Sequence, residues 1–216
     1  IHNQQFAIIV DPGEACPVRL YLRQHKLQPV AILCTHHHND HTGGNRELVQ
    51  EFSIPVYGPA HENIPGCTRA LSDGETFTIL ELAISFNVLG VPGHTAGHIA
   101  FYGQRALFCG DTLFSCGCGR IFEGSAQQMY ASLQKLASLP GETKVYCAHE
   151  YTLANIEFAK VVDPNNMALL ALEEDCRQKR AHNLPTLPSS ITIEKKVNPF
   201  LRCDQQPIIG SASQHS

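Results

Sequence analysis

The chain has 216 residues, 43% hydrophobic and 17% charged, with a formal net charge of −4. That length accommodates one sizeable core and a small appendage. Without a Lys/Arg block the charge gives nucleic acid no electrostatic hold, and no apolar run approaches the ~20 residues of a membrane span. In chain order, residues 6–10 read as a strand, 15–26 as a helix and 30–34 as a strand. The last runs straight into Thr35-His36-His37-His38-Asn39-Asp40-His41-Thr42-Gly43-Gly44, four histidines and an aspartate within six residues.

Imidazole and carboxylate are ligands for Zn²⁺ and similar divalent cations. Three ligands from one tight turn already fill one face of an ion, so a single ion has no room for all five. The sparing arrangement puts His36 and His38 on one metal and turns Asp40 and His41 to a second. His37, between two ligands, points away, as alternate residues leaving a strand do. A lone HxH would read as a histidine-rich surface turn; the rest of the chain decides against that.

Residues 45–51 follow as a helix and 55–57 as an extended piece, then 76–80 and 84–91 as strands, the latter closing on Pro92-Gly93-His94. Residues 99–102 pair with 106–109 across a Gly103-Gln104 turn, and that run closes on Gly110-Asp111. Residues 125–138 form a helix that Ser125 caps, with Met129, Leu133 and Leu136 on one face. The apolar run 145–148 closes on His149-Glu150. Beyond it, 152–162 and 166–181 are helical around Asp163-Pro164, and no strand alternation of comparable strength follows. The expected organisation is a metal-binding α/β domain over residues 1–150 and a helical C-terminal domain over 151–216. Four short apolar runs thus each end on a potential ligand, and buried strands flanked by helices bring their carboxyl ends to one edge. Together they read as a two-metal site.

The segments THHHNDH, PGHT, CGDTLF and AHEYT resemble the metallo-β-lactamase superfamily. More narrowly, FSCGCGRIFEGSAQQMY and YCAHEYTLANIEFA resemble glyoxalase II, the hydroxyacylglutathione hydrolases. The resemblance implies an α/β fold, the αβ/βα four-layer sandwich, followed by a small helical C-terminal domain. It implies that His36, His38 and His94 hold a first metal, that Asp40, His41 and His149 hold a second, and that Asp111 bridges both and keeps a hydroxide between them. The ions are expected to be zinc, with iron or manganese as alternatives. Arg120, Phe122 and Tyr151 stand at the family's substrate-binding positions, Phe122 where some relatives carry tyrosine. Relatives begin with a further strand ahead of Ile1 and continue past residues 198–202 into a basic helix. Residues 205–216 hold no Lys or Arg, so both ends are expected to be truncated or recast.

The implied substrate is a small-molecule glutathione thioester, S-D-lactoylglutathione, cleaved to glutathione and D-lactate in methylglyoxal detoxification. Two ions ~3.5–4 Å apart hold a water whose pKa falls towards 7, and their residual positive charge favours a developing oxyanion. A thiolate, with a conjugate-acid pKa of roughly 8.5, leaves without a general acid. Three rivals share the HxHxDH pattern: a glutathione-persulfide sulfur dioxygenase with one iron, a phosphodiesterase or lactonase, and a non-catalytic metal-binding fragment. GCGR and HEYT speak against the second.

Glu150 and His98 are expected to support rather than ligate, and His2, His25, His61, His182 and His215 to be ordinary loop or surface residues. The nine cysteines are odd in number, lack CxxC spacing and fall partly inside apolar runs (Cys34, Cys109, Cys147). They read as reduced thiols in a cytoplasmic protein, and Cys116 and Cys118 as formers of a loop. A monomer is the expected state.

Overall fold

A computed structural model describes residues 1–214; His215 lies outside the described residues. Strands β1 (Phe6–Val10), β2 (Gln28–Leu33), β3 (Val56–Pro59) and β4 (Arg69–Leu71) pair in parallel in that order. Successive strand residues face opposite ways. Ile8, Ala31 and Leu33 therefore point into one core, while Ala7, Ile9 and Ile32 point into another. Three helices follow these strands: α1 (Ala15–His25), the single turn α2 (Asn39–Thr42) and α3 (Asn45–Phe52). Ala15, Leu22 and Leu48 of α1 and α3 close the second core.

The other sheet begins as a meander of β5 (Thr76–Ile79), β6 (Ile84–Gly90), β7 (Ile99–Gly103) and β8 (Ala106–Phe108). A two-stranded hairpin, β9 (Leu113–Phe114) and β10 (Gly117–Cys118), comes next. Helix α4 (Ala126–Ala137) then leads to β11 (Lys144–Tyr146), which pairs in parallel with β8. Phe86, Val88, Ile99 and Phe101 face Ile8 and Leu33 of the first sheet. Ala100, Leu107 and Val145, on the opposite face, pack on Met129, Leu133 and Leu136 of α4. The order is helix, sheet, sheet, helix, the expected four layers. Ser125 and Gln128 form a reciprocal capping box at the start of α4, as the cap expectation required.

Two expectations are corrected. Gly103 pairs with Ala106, so the β7–β8 turn is Gln104-Arg105, both at positive φ (49° and 60°), one residue later than expected. That left-handed pair matches the twist of a tight hairpin. The chain beyond residue 150 is also not wholly helical. After α5 (Thr152–Val162) and α6 (Met167–Ala181), Ser189–Ser190 form β12, antiparallel to β11 at the edge of the second sheet. Two residues are too few to show alternation in a sequence. The remaining elements are α7 (Ile191–Val197), a 3-10 turn (Pro199–Leu201) and α8 (Gln206–Gln214). Cys116 of the hairpin packs with Ile156, Ala159, Leu169, Cys176 and Val197, which ties these helices to the loops below them. No helix among the described residues is long and apolar enough to cross a membrane.

Candidate metal centre

β6, β8 and β11 run in one direction, and the turns after them and after β2 carry His94, Asp111, His149 and residues 36–41. All seven expected ligands meet there. His38 Nδ1 lies 3.1 Å from His36 Nε2 and 3.0 Å from His94 Nε2. In a second group His149 Nε2 lies 3.3 Å from His41 Nε2 and 3.5 Å from Asp40 Oδ2. Asp111 stands between the groups. Its Oδ1 is 3.3 and 3.4 Å from His41 and His149 Nε2, and its Oδ2 is 3.6 Å from His94 Nε2.

The nitrogens turned inwards are lone-pair donors. His94 Nδ1 donates to the Arg120 carbonyl at 2.7 Å, and a carbonyl only accepts, which leaves Nε2 free of hydrogen. His41 Nδ1 lies 3.2 Å from Asp11 Oδ2 and does the same. The Thr35 hydroxyl gives its one hydrogen to Asp11 Oδ2 (2.7 Å), so it accepts from His36 Nδ1 at 3.1 Å. Asp11 thus orients a histidine of each group, one directly and one through Thr35. Asp111 Oδ1 is buried and accepts no hydrogen bond from any described residue. An orphaned carboxylate oxygen among converging bare nitrogens fits a pair of divalent cations.

Electrostatics agree. Burial, then the neighbouring histidines, holds His36 far below the ordinary imidazole value, and burial lowers His94 as well. Burial would also lower His41, but the adjacent carboxylates of Asp11 and Asp111 outweigh it and push it up to about 10. Carboxylates that favour a proton there favour any cation. Burial would raise Asp111; His41, followed by the charges of His149 and His94, outweighs it and sets the carboxyl low.

The supporting residues behave as their sequence context suggests. His98 stacks on His36 at 4.6 Å, and its Nε2 accepts the Asp111 backbone N–H at 3.2 Å, so it carries no free lone pair to the centre. Burial lowers it to about 3. Glu150 accepts the Thr186 backbone N–H and hydroxyl. Cys116 lies in the turn of the β9–β10 hairpin and Cys118 on β10; burial raises both thiols, Cys118 to about 12, against a thiolate ligand. His37 turns away, its Nδ1 2.9 Å from Glu62.

Phe122 and Tyr151 stand next to the ligand histidines, and Arg120 next to Phe122. Phe122 is 58% exposed and stands edge-on to His94 and His38 at 5.3 and 5.5 Å, with the Arg120 guanidinium 5.3 Å from its ring centroid. Tyr151 is 50% exposed and stacks on His149 at 4.8 Å. Phe122 thus stands against the first donor group and Tyr151 against the second, and both rings reach solvent. Gly119 holds the Arg120 loop down: a Cβ there would meet the Asp111 carbonyl oxygen at 1.7 Å. Asp11 went unread in the sequence, though its position had a signal: it too is an acid ending an apolar strand, followed by Pro12-Gly13.

The metallo-β-lactamase superfamily profile matches residues 1–149, and the chain belongs to that superfamily. The profile of the hydroxyacylglutathione hydrolase C-terminus matches residues 150–216. Within the superfamily the chain is a member of the hydroxyacylglutathione hydrolase family. It is 68% identical over 215 residues to the hydroxyacylglutathione hydrolase of Nitrosomonas eutropha, across 100% of this chain and 84% of that protein. Among solved structures, BLEG-1 B3 metallo-β-lactamase aligns with a TM-score of 0.68 at 26% identity, over 93% of this chain and 90% of that one. TTHA1623 in a di-iron-bound form aligns at 0.62 with 28% identity, over 90% and 88%.

Proposed function

We propose that the chain hydrolyses S-D-lactoylglutathione and related 2-hydroxyacylglutathione thioesters, releasing glutathione and the 2-hydroxy acid. The observation that carries this reading is the pair of donor groups joined by Asp111, set beneath Arg120, Phe122 and Tyr151. His36, His38 and His94 would hold one divalent ion; Asp40, His41 and His149 a second; the two oxygens of Asp111 face one group each. A relative solved in a di-iron-bound form supports a count of two, and the nitrogen-rich donor set suits zinc as well as iron. Such ions supply Lewis acidity and water of lowered pKa.

The protein's own groups do the rest. Arg120 offers a fixed charge to a glutathione carboxylate. Phe122 and Tyr151 hold the acyl–sulfur region between them, and the Tyr151 hydroxyl is a hydrogen-bond donor at that edge. Phe122 brings no hydroxyl, so it orients by contact alone. No general acid is required, because a thiolate leaves unprotonated. Nine free thiols are compatible with a reducing cytoplasmic setting.

Elemental analysis of metal-replete protein should approach two ions per chain, and that protein should release free thiol from S-D-lactoylglutathione. Saturation at one iron per chain, with oxygen uptake on glutathione persulfide and no thioester cleavage, overturns the reading.

A further inference from the structure

The loops bearing the metal-facing histidines leave different sheets, yet one buried side chain touches two of them. Glu62 lies beyond β3 with its side chain 4% exposed. Its Oε2 accepts the His37 backbone N–H at 2.7 Å and lies 2.9 Å from His37 Nδ1. Its Oε1 accepts the Thr95 hydroxyl at 2.5 Å and the Gly97 N–H at 3.0 Å. Four donors, two per oxygen, saturate the carboxylate. A Cβ on Gly97 would come within 2.7 Å of Glu62 Cγ, so the glycine is what lets the carboxylate reach.

His37 carries the connection onwards. Its Nε2 faces Glu123 Oε1 at 3.3 Å, while Glu123 Oε2 accepts the Ala96 N–H at 2.9 Å. Glu123 sits three residues after Arg120, and the Phe122 and Glu123 N–H groups both donate to the His94 carbonyl. Three loops therefore share two carboxylates with His37 between them.

We propose that Glu62 is a positioning residue for the metal centre, holding residues 36–38 and 94–97 in register. The His37–Glu123 bridge extends that hold to the loop presenting Arg120 and Phe122. This rests on the metal reading above. His37, whose ring nitrogens face Glu62 and Glu123 rather than the seven-ligand centre, then has a purpose: it is the peg between ligand loop and substrate loop. Groups behind the ligands typically change metal affinity 10–100-fold.

The test uses the full chain with Glu62→Ala, Glu62→Gln and Glu123→Gln. Metal-free protein is titrated with Co²⁺ against a chelating competitor while its visible absorption is recorded, and far-UV circular dichroism checks the fold. Glu62→Ala should weaken cobalt binding about tenfold and alter the spectrum. Glu62→Gln, keeping one acceptor, should fall between it and the parent. Glu123→Gln should leave affinity and spectrum unchanged but raise the KM for S-D-lactoylglutathione about threefold, with kcat nearly constant. Parental cobalt affinity and spectrum in Glu62→Ala and Glu62→Gln would overturn the positioning role alone. If Glu62→Ala does not fold, Glu62→Gln decides by the same criterion. A parental chain that binds no cobalt overturns both this and the metal reading.

Discussion

Asp111 and Glu194 are carboxylates buried in different parts of the molecule. Asp111 lies among His41, His94 and His149, and its Oδ1 accepts no hydrogen bond from any described residue. Glu194, on α7, is fully buried: Oε2 accepts from the Cys116 N–H (2.9 Å) and the Asn198 side chain (3.0 Å), and Oε1 from the Ser189 hydroxyl. Asn198 also donates to the carbonyls of Phe114 and Gly117, so this cluster closes the hairpin behind the Arg120 loop. Their acidities diverge for matching reasons. Burial dominates at Glu194 and raises it, whereas at Asp111 the neighbouring imidazoles outweigh burial and lower it. A buried carboxylate met by amide and hydroxyl donors is complete as it stands; one met by bare nitrogens asks for a cation. Burial alone does not mark a functional acid. The chemistry of its neighbours does.

The sharpest test of that contrast is Asp111→Asn. An amide has neither the charge nor two equivalent oxygens, so thioester hydrolysis should fall by at least ~10²-fold while the circular dichroism spectrum stays parental. Turnover near normal with metal content intact would remove the distinction between the two sites.

Asp11→Asn should produce a smaller loss. Its amide group cannot serve both Thr35 and the His41 Nδ1–H, so the histidines it orients lose their fixed tautomers. Metal affinity, measured against a chelator, should drop about 10-fold or more. Unchanged affinity would mean that His36 and His41 are oriented by packing alone.

Glu194→Gln should have the smallest effect, on stability rather than rate. Gln can keep its oxygen on Cys116 and Asn198 and turn its amide to the Ser189 oxygen. Burial raises the folded Glu194 carboxyl above the ordinary glutamate value of 4.5, so its stabilising contribution is full below that pH and is lost as pH rises through the folded value. The melting temperature of Glu194→Gln relative to the parent should therefore climb as pH rises above 4.5, by about 2–4 °C for each ~1 kcal/mol of change. Comparison of the two chains at each pH cancels shared metal loss. A flat difference, or a hundredfold rate loss like that of Asp111→Asn, would break the comparison from its other side.

Much of the centre was legible because its donors are local. Residues 36–41 supply five candidates in one turn, and His94, Asp111 and His149 each stand three or four residues past a strand. The strands themselves showed in apolar runs, and α4 in its cap and its Met129, Leu133, Leu136 face. The Gln104-Arg105 turn was misplaced by one residue because Gly103 drew the turn onto itself, although its lack of a side chain serves close packing: a Cβ there would meet the Ser85 carbonyl oxygen at 2.4 Å. β12 was missed because two serines carry no periodicity.

The amino-acid sequence by itself determined the chemistry on offer: which side chains can bind a cation, how many lie together, and which strands deliver them. Only the tertiary structure decided which of the remaining acids matter. Asp11 reaches Thr35 across 24 residues, Glu62 reaches His37 across 25, and Glu194 reaches Cys116 across 78. Glu62 and Glu194 are ordinary carboxylates in the sequence, and Asp11 stands out only by ending an apolar strand. The role of each depends on whether donors, acceptors or nothing surround its oxygens, and that is a property of the packed chain rather than of residue type.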